Sequence, residues 1–427
     1  MNGYVKNKNT DALDVLLMIF PFLDLFSAYS FFNVGDFSVT LSVITATLIM
    51  ILFVLRFLFG KIKITYKSIF LFFTFVINLF ISAISNFAIN INFKSIFLYL
   101  FFAVYYLLIF NYKNKTFNTL KTIKNYTLLI TLLGLFGIFQ FIAQFTPIGY
   151  INLTIDGFMR PGFNTTNLVY IGNFSFYRAH SIYLEPSIFS ITESIGLILI
   201  FLLFKIKYIS KKTFILNSTI NLIALFLTIA GTGLLLLLTF TFYYLYTSRK
   251  SKGLNALKPI FFMLLLFIIL TVIACFSNIG RELFVNRVFE VFKPGYSGFV
   301  RFVLPYYLLI LSIFKNPFGC GPSNTQIIYD MTNLNMPAFN NIIADVNSSY
   351  GKIGVELGII GIVLYIYLCF VLIKKSKNEF SKTMAFIFVI MGFLSGNLLD
   401  FNSLVLLSFS IALNDYVPVV KVNATFD

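Results

Sequence analysis

Long apolar runs alternate with short basic clusters along most of the chain. The clusters lie near residues 61–67, 113–124, 205–212, 249–258 and 374–382. A membrane-spanning helix needs roughly 20 apolar residues, and cytoplasmic loops are rich in Lys and Arg, so each pair of clusters encloses an even number of spans. The pattern predicts about twelve transmembrane helices with both termini in the cytoplasm. They are predicted at residues 12–32, 38–58, 68–88, 94–111, 125–146, 184–204, 213–229, 232–247, 259–277, 346–372, 383–399 and 402–417.

Residues 213–247 fit either two helices or one. A single helix would be about 50 Å long, against a hydrocarbon core of about 30 Å. We therefore predict two helices joined by a tight turn at Gly231-Thr232-Gly233. The alternative, one long tilted helix, would place the basic clusters at 205–212 and 249–258 on opposite sides of the membrane.

Two segments on the side opposite the basic clusters are too long to be turns. They cover about residues 148–183 and 278–345. The second contains an apolar stretch from Phe299 to Phe314 with Pro305 near its start, which predicts a short helix lying on the outer face or partly re-entering it. Together the runs predict an all-α, polytopic membrane protein in which residues 1–427 form one membrane domain.

Composition agrees with this class. The chain is 59% hydrophobic and only 11% charged, with a mean hydropathy of +0.89, so it has too little polar surface to cover a soluble globule. Its net charge of +16 is explained by basic loops between spans rather than by nucleic-acid binding. Three cysteines in separate segments and a single histidine, His180, predict neither a disulfide framework nor a metal site.

Arginine does not follow the distribution of lysine. Five of the seven arginines fall on the predicted outer side, where the positive-inside rule does not place them. The planar guanidinium grips a phosphate through two parallel hydrogen bonds and keeps its charge. These residues therefore predict a site for an anionic, phosphate-bearing ligand. They are Arg160, Arg178, Arg281, Arg287 and Arg301.

The stretch from Arg178 to Ser187 also holds His180 and Glu185. Pro186 favours the first position of a helix, where its missing N–H costs nothing, so Glu185 is predicted at the mouth of the sixth span. The N-terminus of a helix favours an anion there. We favour a functional role for Glu185 and His180. The alternative is that Glu185 caps the helix and forms a surface ion pair with Arg178.

Carboxylates that fall inside predicted spans or at their ends include Asp24, Glu193, Glu356 and Asp400. Ionisable groups in a membrane are costly, and they indicate either a functional site or an internal ion pair. Glu193 lies two turns inside the sixth span and is a secondary functional candidate. Glu356 has Lys352 one turn away, which favours a structural ion pair.

The second outer segment carries an ordered set of motifs. Arg301 precedes the short apolar helix, the turn Asn316-Pro317-Phe318-Gly319-Cys320-Gly321 follows it, and Asn347 opens a Gly-rich span. This order resembles the O-antigen ligase and polymerase superfamily of bacterial envelope glycosyltransferases. The stretch from Arg178 to Ser187 is similar to the Arg…Glu-Pro-Ser element of Wzy-type polysaccharide polymerases. The resemblance covers roughly residues 150–365.

The resemblance implies a GT-C-like membrane glycosyltransferase that needs neither metal nor cofactor. It would act at the outer face of the bacterial cytoplasmic (inner) membrane, in O-antigen (lipopolysaccharide) or capsule biosynthesis. The donor would be an undecaprenyl-diphosphate-linked oligosaccharide and the acceptor another lipid-linked repeat unit. Membrane lipid is the other implied partner, a chain-length regulator protein is a further candidate, and nucleic acid is not implied.

The resemblance and the residue chemistry together give each candidate a role. Glu185 or His180 would activate the acceptor hydroxyl as a general base. Fixed positive charge would stabilise the diphosphate leaving group. The residues assigned to diphosphate binding are Arg178, Arg287, Arg301 and Arg160, the last of which would also position donor or acceptor. Secondary candidates are Arg281, Glu193 and Asn347.

Two alternatives stay open. Many ligases of the superfamily carry His-Asn before the late span, whereas this chain has Val346-Asn347-Ser348, so a polymerase is favoured over a ligase. A flippase for the same lipid-linked unit would also suit twelve spans and a cationic site. Transporter sites, however, usually lie near the bilayer midplane between internal repeats, and no repeat is evident in the sequence.

Overall fold

Helices dominate the computed structural model, which describes residues 11–34, 37–85, 92–112, 119–161, 163, 167–171, 174–248, 276, 290–294, 296–332, 334, 336, 346–394 and 399–413. The α-helices within these ranges are α1 (Ala12–Asp24), α2 (Leu41–Leu58), α3 (Tyr66–Ser85), α4 (Phe93–Asn111), α5 (Thr119–Ala143), α6 (Pro186–Lys205), α7 (Lys211–Leu227), α8 (Gly231–Ser248), α9 (Ser297–Phe302), α10 (Leu304–Lys315), α11 (Thr325–Asp330), α12 (Ser349–Lys375), α13 (Glu379–Leu394) and α14 (Phe401–Ala412). The strands are β1 (Ser30–Val34), β2 (Phe37–Thr40), β3 (Leu168–Ile171) and β4 (Phe174–Tyr177).

Six of the described helices are long and apolar enough to cross a membrane: α2, α3, α4, α5, α6 and α12. Shorter apolar helices include α8, α10 and α14. The chain is therefore a helical, polytopic membrane protein. The predicted span at 259–277 lies almost entirely outside the described residues.

Two β-hairpins depart from the predicted all-α fold. The helix expected over 12–32 ends at Asp24, and the chain continues into β1, which pairs antiparallel with β2. Strands β3 and β4 form a second antiparallel pair in the segment 148–183. Phe, Tyr, Val and Ile dominate these strands and favour extended backbone, which the count of apolar residues alone could not distinguish from a helix.

Most of the helices pack around two large apolar cores, and a smaller third core lies among α9, α10, α11 and the start of α12. One core joins α1, α2, α3, α4 and α12, and the other joins α5, α6, α7 and α8. Helices α13 and α14 contribute side chains to both cores, so they hold the two halves together.

Residues 213–247 form two helices, as predicted, because α7 ends at Leu227 and α8 begins at Gly231. The predicted position of the turn was wrong: it lies at residues 228–230, and Gly231-Thr232-Gly233 form the start of α8. The turn brings α8 tightly against α6. A Cβ at Gly233 would lie 2.3 Å from the carbonyl oxygen of Ser190, so only glycine permits this approach. The hydroxyl of Ser194 donates to the Gly233 carbonyl at 2.7 Å, and the Ser190 carbonyl of its own helix is a second acceptor at 2.9 Å.

Removing that hydroxyl should weaken the α6–α8 contact modestly. We expect Ser194→Ala to lower stability by about 0.6 kcal/mol and at most about 1.7, the range for hydrogen bonds between membrane helices. The measurement is the thermal unfolding midpoint of the purified protein in one lipid or detergent. Thr239→Ala is the matched control, because the Thr239 hydroxyl bonds only carbonyls of its own helix. A midpoint equally lowered in both variants would contradict the interhelical role.

Helix α12 is interrupted at Gly358, whose φ of 68° and ψ of −160° are not helical. The turn after α10 lies against this break. There the backbone N–H of Cys320 donates to Val355 O at 2.9 Å, and that of Gly321 donates to Glu356 O at 3.0 Å. These bonds satisfy carbonyls that the broken helix leaves without their usual donors.

Helix α3 supplies further donors to the same break. The side-chain amide of Asn78 donates to Leu357 O at 2.9 Å, and the hydroxyl of Ser82 donates to Glu356 O. In the opposite direction, the N–H of Ile359 donates to Pro317 O at 2.9 Å. The Asn-Pro-Phe-Gly-Cys-Gly motif therefore has a structural role here, since it completes the backbone of α12.

Candidate functional site

Helix α6 begins at Pro186, as the sequence predicted, and Glu185 occupies its N-cap position. The Glu185 side chain makes no capping hydrogen bond. Its Oε2 instead accepts a hydrogen bond from Nη2 of Arg301 at 3.0 Å. The structure thus brings together a carboxylate and an arginine that are 116 residues apart and come from the two predicted outer segments.

Both side chains of this pair remain accessible. The Arg301 side chain is 24% exposed and that of Glu185 is 28% exposed. A half-buried ion pair of this kind contributes only about 0–1 kcal/mol to stability, so stability alone gives little reason for it. Its position at the N-terminus of α6 adds a positive dipole end beside the carboxylate and the guanidinium.

His180 lies in the loop before α6, but its side chain is buried. Its Nδ1–H donates to the carbonyl of Tyr183 at 2.7 Å, and Nε2 faces the amide nitrogen of Gln140 at 3.4 Å. Burial lowers the pKa of His180 to about 4, and the charge of Arg178 acts in the same direction, while the bond to Tyr183 opposes it. The imidazole is therefore neutral at physiological pH, with both nitrogens engaged.

Gln140 organises this loop, and sequence inspection missed it. Its Oε1 accepts from the backbone N–H groups of His180 at 3.1 Å and Ser181 at 3.0 Å. Its Nε2 donates to Ile151 O at 2.8 Å. The available signal was a polar residue inside an otherwise apolar helix, because such a residue needs partners within the protein.

The buried imidazole predicts a pH-dependent stability. The unfolded histidine binds a proton near its ordinary pKa of 6.5, whereas the folded one does so only near 4. Stability is thus fully present above pH 6.5 and falls as the pH drops towards 4, by up to about 3 kcal/mol. We expect the thermal midpoint to fall over this window, and to fall less in His180→Asn, whose amide can replace the Nδ1 donor but does not titrate. Equal falls in both proteins would exclude His180 as the cause.

The other predicted arginines have separate surroundings. Arg178 lies near Tyr150 and His180, close enough for its charge to lower the pKa of each. Tyr150 stacks on Tyr177, with ring centroids 4.2 Å apart. Arg160 donates from Nη1 to Ser27 O at 3.4 Å. Arg281 and Arg287 lie outside the described residues.

Two of the predicted intramembrane carboxylates meet beside Arg160. Asp24 and Asp400 are close enough to interact electrostatically, and Arg160 interacts with Asp24 as well. Asp24 accepts a hydrogen bond from Ser42 Oγ at 2.7 Å and, with the Asn402 amide nitrogen turned towards it, another at 2.8 Å. The sequence pointed to each carboxylate separately and gave no sign that they share one site.

The remaining candidates occupy different positions. Glu193 is fully buried, and neither of its carboxylate oxygens has a hydrogen-bond partner among the described residues. The predicted ion pair of Lys352 with Glu356 is confirmed at 3.7 Å, and Tyr99 OH also donates to Glu356 at 2.6 Å. Asn347 is exposed just before α12.

This geometry defines a class: a polytopic helical membrane protein with a partly open Arg301–Glu185 pair at one end of α6. Within the described part of the chain, no three His, Cys, Asp or Glu residues gather where they could hold a metal ion. Compared with known proteins, the chain matches no protein-family model and no curated sequence.

Proposed function

We propose that the protein polymerises lipid-linked oligosaccharide repeat units at the outer face of a bacterial cytoplasmic membrane. The observation that carries this proposal is the Arg301–Glu185 pair. It joins the two segments predicted to face outwards, it is accessible, and it combines a proton acceptor with a fixed cation. The resemblance to the O-antigen polymerase and ligase superfamily supplies the substrate class.

The reaction is a glycosyl transfer. The acceptor hydroxyl oxygen attacks the anomeric carbon of the donor sugar, and the bond from that carbon to the diphosphate oxygen breaks. The hydroxyl proton passes to the Glu185 carboxylate. Undecaprenyl diphosphate leaves with the bonding electrons, and Arg301, which lies 3.0 Å from Glu185, stabilises the negative charge that develops on it.

Of the two proposed bases, Glu185 suits the role better than His180. The Glu185 carboxylate is accessible, whereas His180 is buried with its Nδ1–H held by Tyr183 O. His180 and Gln140 then act as supports that hold the loop ending in Glu185.

The number of spans and their orientation in the membrane are part of the same proposal. Twelve spans with both termini in the cytoplasm place Glu185, Arg301 and the turn between α7 and α8 on the outer side. Contacts support a common end for these elements, since the N–H of Ala179 donates to Leu227 O at 3.1 Å. Arg178 and Arg287 are proposed to bind the donor diphosphate alongside Arg301.

A flippase is the alternative from a different class. Interrupted helices such as α12 are typical of transporters, where the break often binds substrate or ions. Here the carbonyls of Val355, Glu356 and Leu357 at the break accept hydrogen bonds from the chain itself, which leaves them less available to an ion. The break therefore gives no specific support to a flippase.

The test is to delete the gene in its host and to resolve surface and lipid-linked glycans by size on a gel. If the protein is the polymerase, the surface acceptor will carry single repeat units, and longer glycan chains will be absent. Full-length polymer stranded on the lipid carrier would instead identify a ligase. Repeat units trapped on the cytoplasmic leaflet would identify a flippase, and an unchanged glycan pattern would refute all three.

A further inference from the structure

A cavity of about 140 Å³ lies beside Arg160, between the β1–β2 hairpin, the start of α2 and the start of α14. Most of the residues that line it are polar, which is unusual in a protein that is 59% hydrophobic. Concave sites with a few converging polar groups are where small ligands bind. The polar lining includes Ser27, Ser38, Ser42, Arg160, Asp400 and Asn402.

The charge of this cavity argues against a phosphate. In the lining, the carboxylate of Asp400 offsets the single guanidinium of Arg160, and the Asp24 carboxyl group beside them adds no positive charge. A site for diphosphate needs an excess of positive charge, as an arginine cluster would supply. The surroundings of Arg160 therefore favour a ligand without strong negative charge.

The hydrogen-bonding groups of the cavity suit a polyhydroxylated ligand. Arg160 uses one N–H for Ser27 O, and a guanidinium has five such donors. The hydroxyls of Ser27 and Ser38 each donate and accept, and the carboxylate of Asp400 accepts. Sugar hydroxyls both donate and accept, so they match a wall that contains both donors and acceptors.

We propose that this cavity binds a sugar unit of the oligosaccharide, with Arg160, Asp400 and Ser38 as its hydrogen-bonding residues. The identity of the ligand as part of a lipid-linked glycan rests on the proposed function. The cavity assigns to Arg160 a role in glycan recognition, distinct from the diphosphate role that the sequence suggested. Asp24 acts as a positioning residue, because its bonds to Ser42 and Asn402 tie α2 to α14.

Saturation-transfer NMR on the full chain in lipid nanodiscs tests this assignment. The probes are glucose, galactose, rhamnose and N-acetylglucosamine at millimolar concentration, each alone and in competition with inorganic pyrophosphate. We expect saturation transfer to at least one sugar, and we expect that pyrophosphate does not displace that sugar. Arg160→Gln should bind the sugar at least about tenfold more weakly, because a hydrogen bond from a charged group contributes that factor or more.

Two further variants keep the test decisive. Ser38→Val fills part of the cavity and should also abolish transfer, without touching any charge. Thr47→Val is the control, because the Thr47 hydroxyl is exposed on α2 and bonds Val43 O of its own helix. This variant should bind as the wild type does.

The outcomes separate the two proposals. No transfer to any sugar, or displacement by pyrophosphate that depends on Arg160, overturns the sugar site. Transfer that survives both Arg160→Gln and Ser38→Val also overturns it. Sugar binding that is lost in both variants supports the site even if gene deletion leaves the glycan pattern unchanged, in which case only the polymerase proposal falls.

Discussion

Glu185→Gln should stop chain elongation while the protein still reaches the membrane. Glutamine keeps the shape of the side chain and an oxygen that can accept from Arg301, but it cannot take the proton of the acceptor hydroxyl. Loss of a general base lowers turnover by about 10²- to 10⁴-fold. The measurement is turnover by the purified protein of lipid-linked repeat units extracted from the host, together with the length distribution of glycan in cells. Near-normal turnover would remove Glu185 from the mechanism.

A charge exchange separates catalysis from structure at the same pair. Arg301→Glu alone places two carboxylates together and should lower both abundance and elongation. The double variant Glu185→Arg/Arg301→Glu restores an ion pair of reversed direction. We expect it to recover the abundance of the protein and to leave elongation absent, because base and cation have changed places. Full recovery of elongation would show that the pair is only structural.

Gly358→Ala should prevent the folded protein from accumulating. At the φ of 68° observed for Gly358, a Cβ would lie 2.1 Å from Pro317 O and 2.6 Å from the carbonyl carbon of Phe318. A backbone with φ of 68° and ψ of −160° lies in a region that is essentially restricted to glycine, and it costs alanine about 1–3 kcal/mol. To relieve the overlap, the turn after α10 would have to move away from α12. Val355 O and Glu356 O would then lose their donors, and each unsatisfied carbonyl costs about 1–3 kcal/mol. These costs are comparable to a typical stability margin of about 5–15 kcal/mol.

Gly231→Ala is the matched control for that experiment. An added Cβ at Gly231, the first residue of α8, has no atom within 4 Å to meet. Both variants are compared with the wild type by size-exclusion chromatography in mild detergent. We expect Gly231→Ala to give the wild-type peak and Gly358→Ala to give aggregate or no protein. A normal peak for Gly358→Ala would contradict the interrupted geometry of α12.

Apolar periodicity predicted the helices well where the chain is continuously hydrophobic. The expected span at 184–204 is α6, and the break near Gly231 separates α7 from α8. The prediction was wrong where aromatic and β-branched residues form strands, as in β1, because hydrophobicity alone does not distinguish the two backbone conformations. The interruption of α12 was not predicted, since glycine is tolerated in many membrane helices.

The candidate site could be predicted residue by residue but not as an arrangement. Sequence motifs pointed to Glu185 and Arg301 separately, whereas their contact depends on how α9 packs at the end of α6. The environment of His180 was equally hidden, because Gln140 comes from a different helix. Long-range juxtaposition of polar groups is set by tertiary packing, and no local pattern encodes it.

The interruption of α12 also has a consequence for biogenesis. The acceptors at its break are satisfied by Asn78 in α3, which is 279 residues away from Leu357 in the chain, and by Cys320 and Gly321. During synthesis these partners emerge before α12 does. The translocating chain therefore already holds the donors that α12 requires when it enters the bilayer, and a fragment beginning after Gly321 would enter with those carbonyls facing hydrocarbon.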